Sequence, residues 1–345
     1  MVARPQSLAS IVERVGATFL PLLIAGFFTT QLAQAEAIKI GSTKIASGGP
    51  IYLSIERGYY AAEGLEAQLV FFPASLPVAV AVVSGDIDFG SAGLTAALYS
   101  MGGQGALRII AANSRDMPGF PQYAFVVSQR AYESGLKSYK DLGGHSVALG
   151  EVGAPAHYTL SLVAAKYGID LKTIRVLPMQ AIANVISAVS GSQADAGLTP
   201  ASAVAPAIQK GEVKFLGFPG DEVPSQGGAT IITTKTADER RDTVERYLRA
   251  FRKGARDYYD AFVGPDGKPH KGPTAPEVLS IIAKYTGQSP EQIDSALPYI
   301  DREARLDVKD VLNQIAWYKS QNMLKTPPDG AVLIDKRYAV ALPDR

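Results

Sequence analysis

Two phrases of the sequence carry similar polar residues at similar spacing, SGDIDFGSAGLTAAL at 84–98 and SGSQADAGLTPASAV at 190–204. Each reads as a helix ending at Ser-Gly, a very short strand bearing an acid, and a Gly-Leu-Thr step into a new helix. The first amides of a helix lack intrahelical acceptors and lie at the positive end of its dipole, so they can hold polar or anionic ligand atoms. Two such termini facing one another would clamp a small molecule from both sides. Ser91 and Thr95 add hydroxyl donors, although Ser and Thr at helix starts also act simply as caps. Gly48-Gly49-Pro50 is either an ordinary turn or a place where the backbone approaches a ligand before a helix begins. His157, in the first turn of a helix, offers a neutral donor or acceptor to a cleft, or packs. Arg115 stands at the carboxyl end of a strand, where open α/β sheets bind ligands, and its guanidinium suits a carboxylate or sulfonate. Asp88 and Asp195 fall in apolar strands, where an unpaired carboxylate is costly. They are expected to be structural, paired with backbone amides or a cation.

Composition excludes several chemistries. The chain has 0 Cys, so it holds no disulfide, thiolate metal site or cysteine nucleophile. Its 3 His residues share no ligand spacing, and no metal site or cofactor is expected. There is no GxxxxGK[ST] loop and no legible nucleophile–base pair, so ATP hydrolysis would need a separate subunit. A formal charge of +1 over 345 residues argues against nucleic acid as a partner. The basic segment Arg240–Arg256 carries an apolar stripe at Val244, Leu248 and Phe251, which suits a solvated helix packed on a core.

The elements that must position these residues alternate between short apolar runs and helical segments, the pattern of parallel α/β units. Strands are expected at Ile38–Gly41, Leu65–Phe72, Asp86–Gly90 and Leu107–Ala112, with Tyr123–Ser128 as a crossover. A second series follows at His145–Leu149, Arg175–Leu177, Asp195–Leu198 and Val213–Leu216, and Ala229–Thr233 returns to the first set. The chain opens with Arg4 and Arg14, an uncharged run from Val15 to Thr30, and Ala33-Gln34-Ala35, the grammar of a secretory signal peptide cleaved after Ala35. The remainder exceeds the usual size of a single core. It is expected to form one discontinuous lobe, 36–126 with 223–345, and a second lobe, 127–222.

Four phrases carry a family resemblance: PIYLSIERGYYAAEGLEAQL at 50–69, SGDIDFGSAGLTAAL, HSVALGEVGAPAHYTL at 145–160, and QADAGLTPASAV. In these the chain resembles the NMT1/THI5-like group of solute-binding proteins, whose relatives take up alkanesulfonates, taurine, nitrate and thiamine-pyrimidine precursors. The resemblance implies a type II periplasmic binding protein fold, two α/β lobes joined by a two-segment hinge with the ligand cleft between them. It also implies ligand contacts at Ser47, Gly48, Gly49 and Tyr52; Ser91, Gly93 and Thr95; Gly153, Ala154 and His157; and Leu198, Thr199 and Pro200. Ala154 and Pro155 stand where many relatives have Ser, which removes one hydroxyl donor.

The expected function is that of a periplasmic, monomeric receptor of an ABC importer that closes over a small organic solute and delivers it to a membrane permease with its own ATPase subunit. A sulfonate or carboxylate anion is favoured as the solute. A neutral aromatic or pyrimidine-type solute, walled by Tyr52 and Tyr158, is the alternative, and a THI5-like enzyme or a sensor lobe are the rival classes.

Overall fold

The computed structural model describes residues 35–343. The expected export signal, but for Ala35, lies outside them. Thirteen strands occur among the described residues: β1 Glu36–Thr43, β2 Leu65–Phe72, β3 Phe89–Gly93, β4 Leu107–Ala112, β5 Ser114–Asp116, β6 Tyr123–Val127, β7 Ser146–Leu149, β8 Arg175–Pro178, β9 Ala196–Pro200, β10 Lys214–Gly217, β11 Ser225–Gln226, β12 Gly228–Thr233 and β13 Tyr299–Ile300. They form two five-stranded sheets, ordered β2-β1-β3-β12-β4 and β10-β6-β9-β7-β8, and a small third one, β11-β5-β13.

The two large sheets share one plan. In the first, β1 is parallel to β2 and β3, while β12 runs antiparallel between β3 and β4. In the second, β7 is parallel to β8 and β9, while β6 runs antiparallel between β9 and β10. The antiparallel strand of the first sheet comes late in the chain and that of the second comes early, so the backbone crosses between the sheets twice. The expected crossover Tyr123–Ser128 is the strand β6, Tyr123–Val127, which lies wholly in the second sheet because it pairs with Ala196–Pro200 throughout its length.

The two acids expected to be structural do equivalent jobs. Asp88 Oδ2 accepts the amide of Lys39 in β1 at 2.7 Å, and its other oxygen pairs with Arg240. Asp195 Oδ2 accepts the amide and the hydroxyl of Ser146 in β7 at 2.9 and 2.8 Å. Against the cost of burial, these bonds hold the Asp195 carboxyl below its ordinary range. Each carboxylate lies just before a central strand and ties it to its parallel neighbour. Strand β3 therefore begins at Phe89, three residues later than the apolar run suggests, because Asp86–Asp88 form the turn that aims this carboxylate.

The basic segment is part of the amphipathic helix Arg241–Phe262, which buries Val244, Tyr247, Leu248, Phe251, Tyr258 and Phe262 along one face. That face packs on the helix Gly49–Glu56. Gly254 sits at the crossing, where an added Cβ would lie 2.2 Å from the Pro50 carbonyl oxygen.

Candidate functional site

In open α/β sheets, ligands collect beyond the carboxyl ends of parallel strands, where loops enter helices. Here the carboxyl ends of both large sheets border one cavity of about 500 Å³. From the first sheet, the wall takes Thr43–Ile45 and Ser47 at and beyond the end of β1, Phe71–Ser75 at and beyond the end of β2, Ser91–Gly93 in β3 with Thr95 beyond it, and Asn113 and Ser114 after β4. From the second come Gly150, Glu151 and Ala154–Ala156 after β7, Gln180–Ile182 and Val185 after β8, and Leu198–Pro200 at the end of β9. The two antiparallel strands contribute their beginnings, Gln122 and Tyr123 before and in β6, and Gly227 and Gly228 at β12.

Eight residues singled out from the sequence therefore lie on this wall: Ser47, Ser91, Gly93, Thr95, Ala154, Leu198, Thr199 and Pro200. Ser91 Oγ accepts the Asn113 side-chain amide at 2.6 Å, and Asn113 in turn accepts the Thr230 hydroxyl at 2.9 Å. Asn113 so oriented leaves the Ser91 hydroxyl hydrogen available to the cavity. Thr95 is the N-cap of the helix Ala96–Gly103, with its Oγ1 accepting the Leu98 amide at 3.1 Å. Gly93 donates its amide to Ser75 Oγ at 2.9 Å, and a Cβ there would meet that oxygen at 2.9 Å and Pro155 Cγ at 3.1 Å. Thr199 is buried, and its hydroxyl has no partner among the described residues.

Six expected contacts stand behind the wall. Tyr52 is fully buried, stacks on Tyr285 with centroids 4.6 Å apart, and donates to the carbonyls of Thr43 and Ile45. Gly48 and Gly49 make room for aromatic rings: a Cβ on Gly48 would lie 2.4 Å from the Tyr52 ring, and one on Gly49 would lie 2.8 Å from Tyr258. The Gly-Gly step thus serves core packing. Arg115 is held away by an ion pair with Asp307 at 2.6 Å. Gly153, at φ +80°, turns its carbonyl to accept the Ala96 amide at 2.8 Å. His157 is buried edge-on to Trp317 and accepts the Gly153 amide on Nδ1 at 3.2 Å, and burial pushes its pKa down to about 4. Tyr158, the other expected aromatic wall, instead donates to Asp310 at 3.0 Å.

Several wall residues escaped the sequence reading. The aromatic surface is supplied by Phe71, Phe72 and Tyr123, and the charged groups are Lys44 and Glu151. Strand-end position could have flagged Phe72 and Glu151, since each lies in or beside the loop after a parallel strand. Gln122 and Tyr123 lie at the start of a strand, and only the antiparallel insertion of β6 brings them to this end of the sheet. Gln180, at φ 64°, is a non-glycine residue in the left-handed region on the wall, with its amide bonded to Gly150 O at 2.8 Å. Such backbone strain gathers at ligand sites.

Solved structures share this architecture at low sequence identity. The ligand-binding component of an ABC-type import system from Staphylococcus aureus aligns with a TM-score of 0.71 and 13% identity over 88% of this chain and 97% of that one. The periplasmic aliphatic sulphonate binding protein SsuA from Escherichia coli aligns at 0.69 and 19% identity over 90% and 94%. The periplasmic nitrate-binding protein NrtA from Synechocystis PCC 6803 aligns at 0.63 and 12% identity over 86% and 84%. No curated protein matches the sequence. The NMT1/THI5 like family model matches residues 46–261, more than half of the chain, and the protein belongs to that family.

Proposed function

We propose that this protein is the solute-binding receptor of an ABC-type importer, working in the periplasm and performing no chemistry on its ligand. The observation that carries this reading is the cavity itself, walled by strand ends from two separate sheets that the backbone joins by crossing twice. The proposed lobes are those sheets with their helices, and the proposed hinge consists of the crossing segments 117–122 and 218–224. A ligand touching both walls favours the closed arrangement over the open one, so binding drives closure and the closed form is what a permease would recognise.

The wall chemistry supports binding over catalysis. Its titratable side chains are Lys44, Tyr123 and Glu151, and no His or Cys is among the wall residues. The similar chains from Staphylococcus aureus and Escherichia coli are binding components by description, which favours the same role here.

The test is ligand-dependent closure. Small-angle scattering with a solute that stabilises the protein should show the radius of gyration falling as the cavity fills. Turnover of such a solute, with no change in shape, would refute the receptor reading.

A further inference from the structure

The Ala96 and Ala201 amides and the Arg115 guanidinium, groups that could hold an anion, are engaged inside the protein, while the Ser91 and Thr95 hydroxyl oxygens accept and keep their hydrogens free. Gly153 O takes the Ala96 amide at 2.8 Å, and Thr95 Oγ1 takes that of Leu98 at 3.1 Å. On the opposite side, Gln122 O takes the Ala201 amide at 3.0 Å, at the start of the helix Ala201–Gln209. Arg115 is paired with Asp307 at 2.6 Å, off the wall.

Three polar groups on the second-sheet side, two of them acceptors and one a hydroxyl, are in the opposite condition. Glu151 lines the cavity half-buried, and its carboxylate has neither an ion pair nor a hydrogen bond among the described residues. Burial alone raises its pKa, with no neighbouring cation to lower it. Among the described residues Gln122 Oε1 is buried without a partner, and so is Thr199 Oγ1 on a residue only 2% exposed. A buried polar group left unpaired is costly, so two of them beside the half-buried Glu151 carboxylate mark where ligand atoms complete the bonding. Phe71, Phe72 and Tyr123 add apolar surface. Lys44, exposed on the facing wall, leaves its ammonium 5.2 Å from the Phe71 ring centre, where it can meet an acidic end of the ligand.

We propose that the cavity selects a small organic solute bearing a cationic or N–H-donating nitrogen, with Glu151 as its specificity-determining partner and Gln122 and Thr199 completing the hydrogen bonds. This rests on the receptor reading above and narrows its ligand class away from simple anions. A carboxylate facing such a nitrogen forms a charge-assisted bond, while the same carboxylate repels a sulfonate or nitrate.

The experiment measures melting temperature and calorimetric affinity of the full chain with benzylamine, 4-aminopyrimidine, benzoate, benzenesulfonate and nitrate. Solutes released on unfolding the protein purified from its own cells are identified by mass spectrometry. A nitrogenous probe should bind, and Glu151→Gln should weaken it by about tenfold or more. The variant should keep the wild-type melting temperature without ligand, since this carboxylate holds nothing in the fold. If an anion binds and the nitrogenous probes do not, or if Glu151→Gln leaves amine affinity unchanged, the ligand class is wrong and the receptor reading stands. If no probe binds and no solute is released, both fall.

Discussion

Tyr158 donates its phenol hydrogen to Asp310 Oδ1 at 3.0 Å, joining the helix Pro155–Lys166, which packs on the second sheet, to the helix Val308–Ser320, which packs on the first. Asp310 also accepts the Gln226 amide at 2.7 Å and the Gln314 side-chain amide at 2.9 Å, so one carboxylate gathers three elements near the crossing segments. Beside it, Tyr318 donates to Ala154 O at 3.1 Å, fastening the loop that carries Glu151.

Removing one of these bonds should loosen the cavity without emptying either core. Tyr158→Phe is expected to lower stability by about 1 kcal/mol, the ordinary net worth of a hydrogen bond, and to weaken ligand binding by a similar factor. Chemical denaturation of both proteins, followed by calorimetry, checks this; an unchanged midpoint would mean that the contact carries no energy.

Asp116 should make stability depend on pH. It is fully buried, its Oδ1 accepts the Gln122 amide at 2.9 Å, and its Oδ2 has no partner among the described residues. Burial, with the nearby Asp221 carboxylate adding to it, pushes its pKa up from 3.8 to about 7. Tyr123 and Tyr139 are the other titratable groups that feel its charge, and neither is a cation. A raised carboxyl favours folding while protonated, so this contribution is complete below about pH 4 and is lost as the pH rises towards 7. Asp116→Asn should therefore raise the melting temperature at pH 8 and change it little at pH 4, as a pair of thermal scans would show.

Gly254→Ala should be severely destabilising. Its Cβ would press at 2.2 Å on a backbone oxygen of the helix Gly49–Glu56, and backbone cannot rotate away as a side chain can. The two helices must move apart, a cost of about 1–3 kcal/mol or more, measurable as a fall in denaturation midpoint.

Thr199→Val should separate binding from stability. It replaces a buried hydroxyl that has no partner among the described residues with a methyl of similar size. The free protein should become more stable by up to about 1 kcal/mol, while affinity for the solute falls by about tenfold. A stability loss in the free protein would show that the hydroxyl has a structural partner.

Several strand limits were legible: Leu65–Phe72 and Leu107–Ala112 stand where their apolar runs put them. The repeated strand and helix plan was legible too, because period and breaker residues are local properties of the chain. The two short central strands were displaced by two or three residues at one or both ends, since the turn that aims Asp88 at the Lys39 amide depends on a neighbouring strand. The site was half legible. Ser91, Thr95 and Thr199 follow from strand ends and helix starts, whereas Gly48, Gly49, Tyr52 and His157 have the right types in the right loops and face the core instead.

The sequence by itself determined the alternation of elements, the family, and which loops border the cleft, because these follow from local periodicity and from short phrases. Only the tertiary structure decided which side chains those loops turn inward. That choice depends on distant partners: Asp307 draws Arg115 off the wall, Gly153 O takes the first amide of the helix after Thr95, and none of the described residues answers the Glu151 carboxylate. A residue's type states what it can bond, and its neighbours in space settle whether that capacity is already filled.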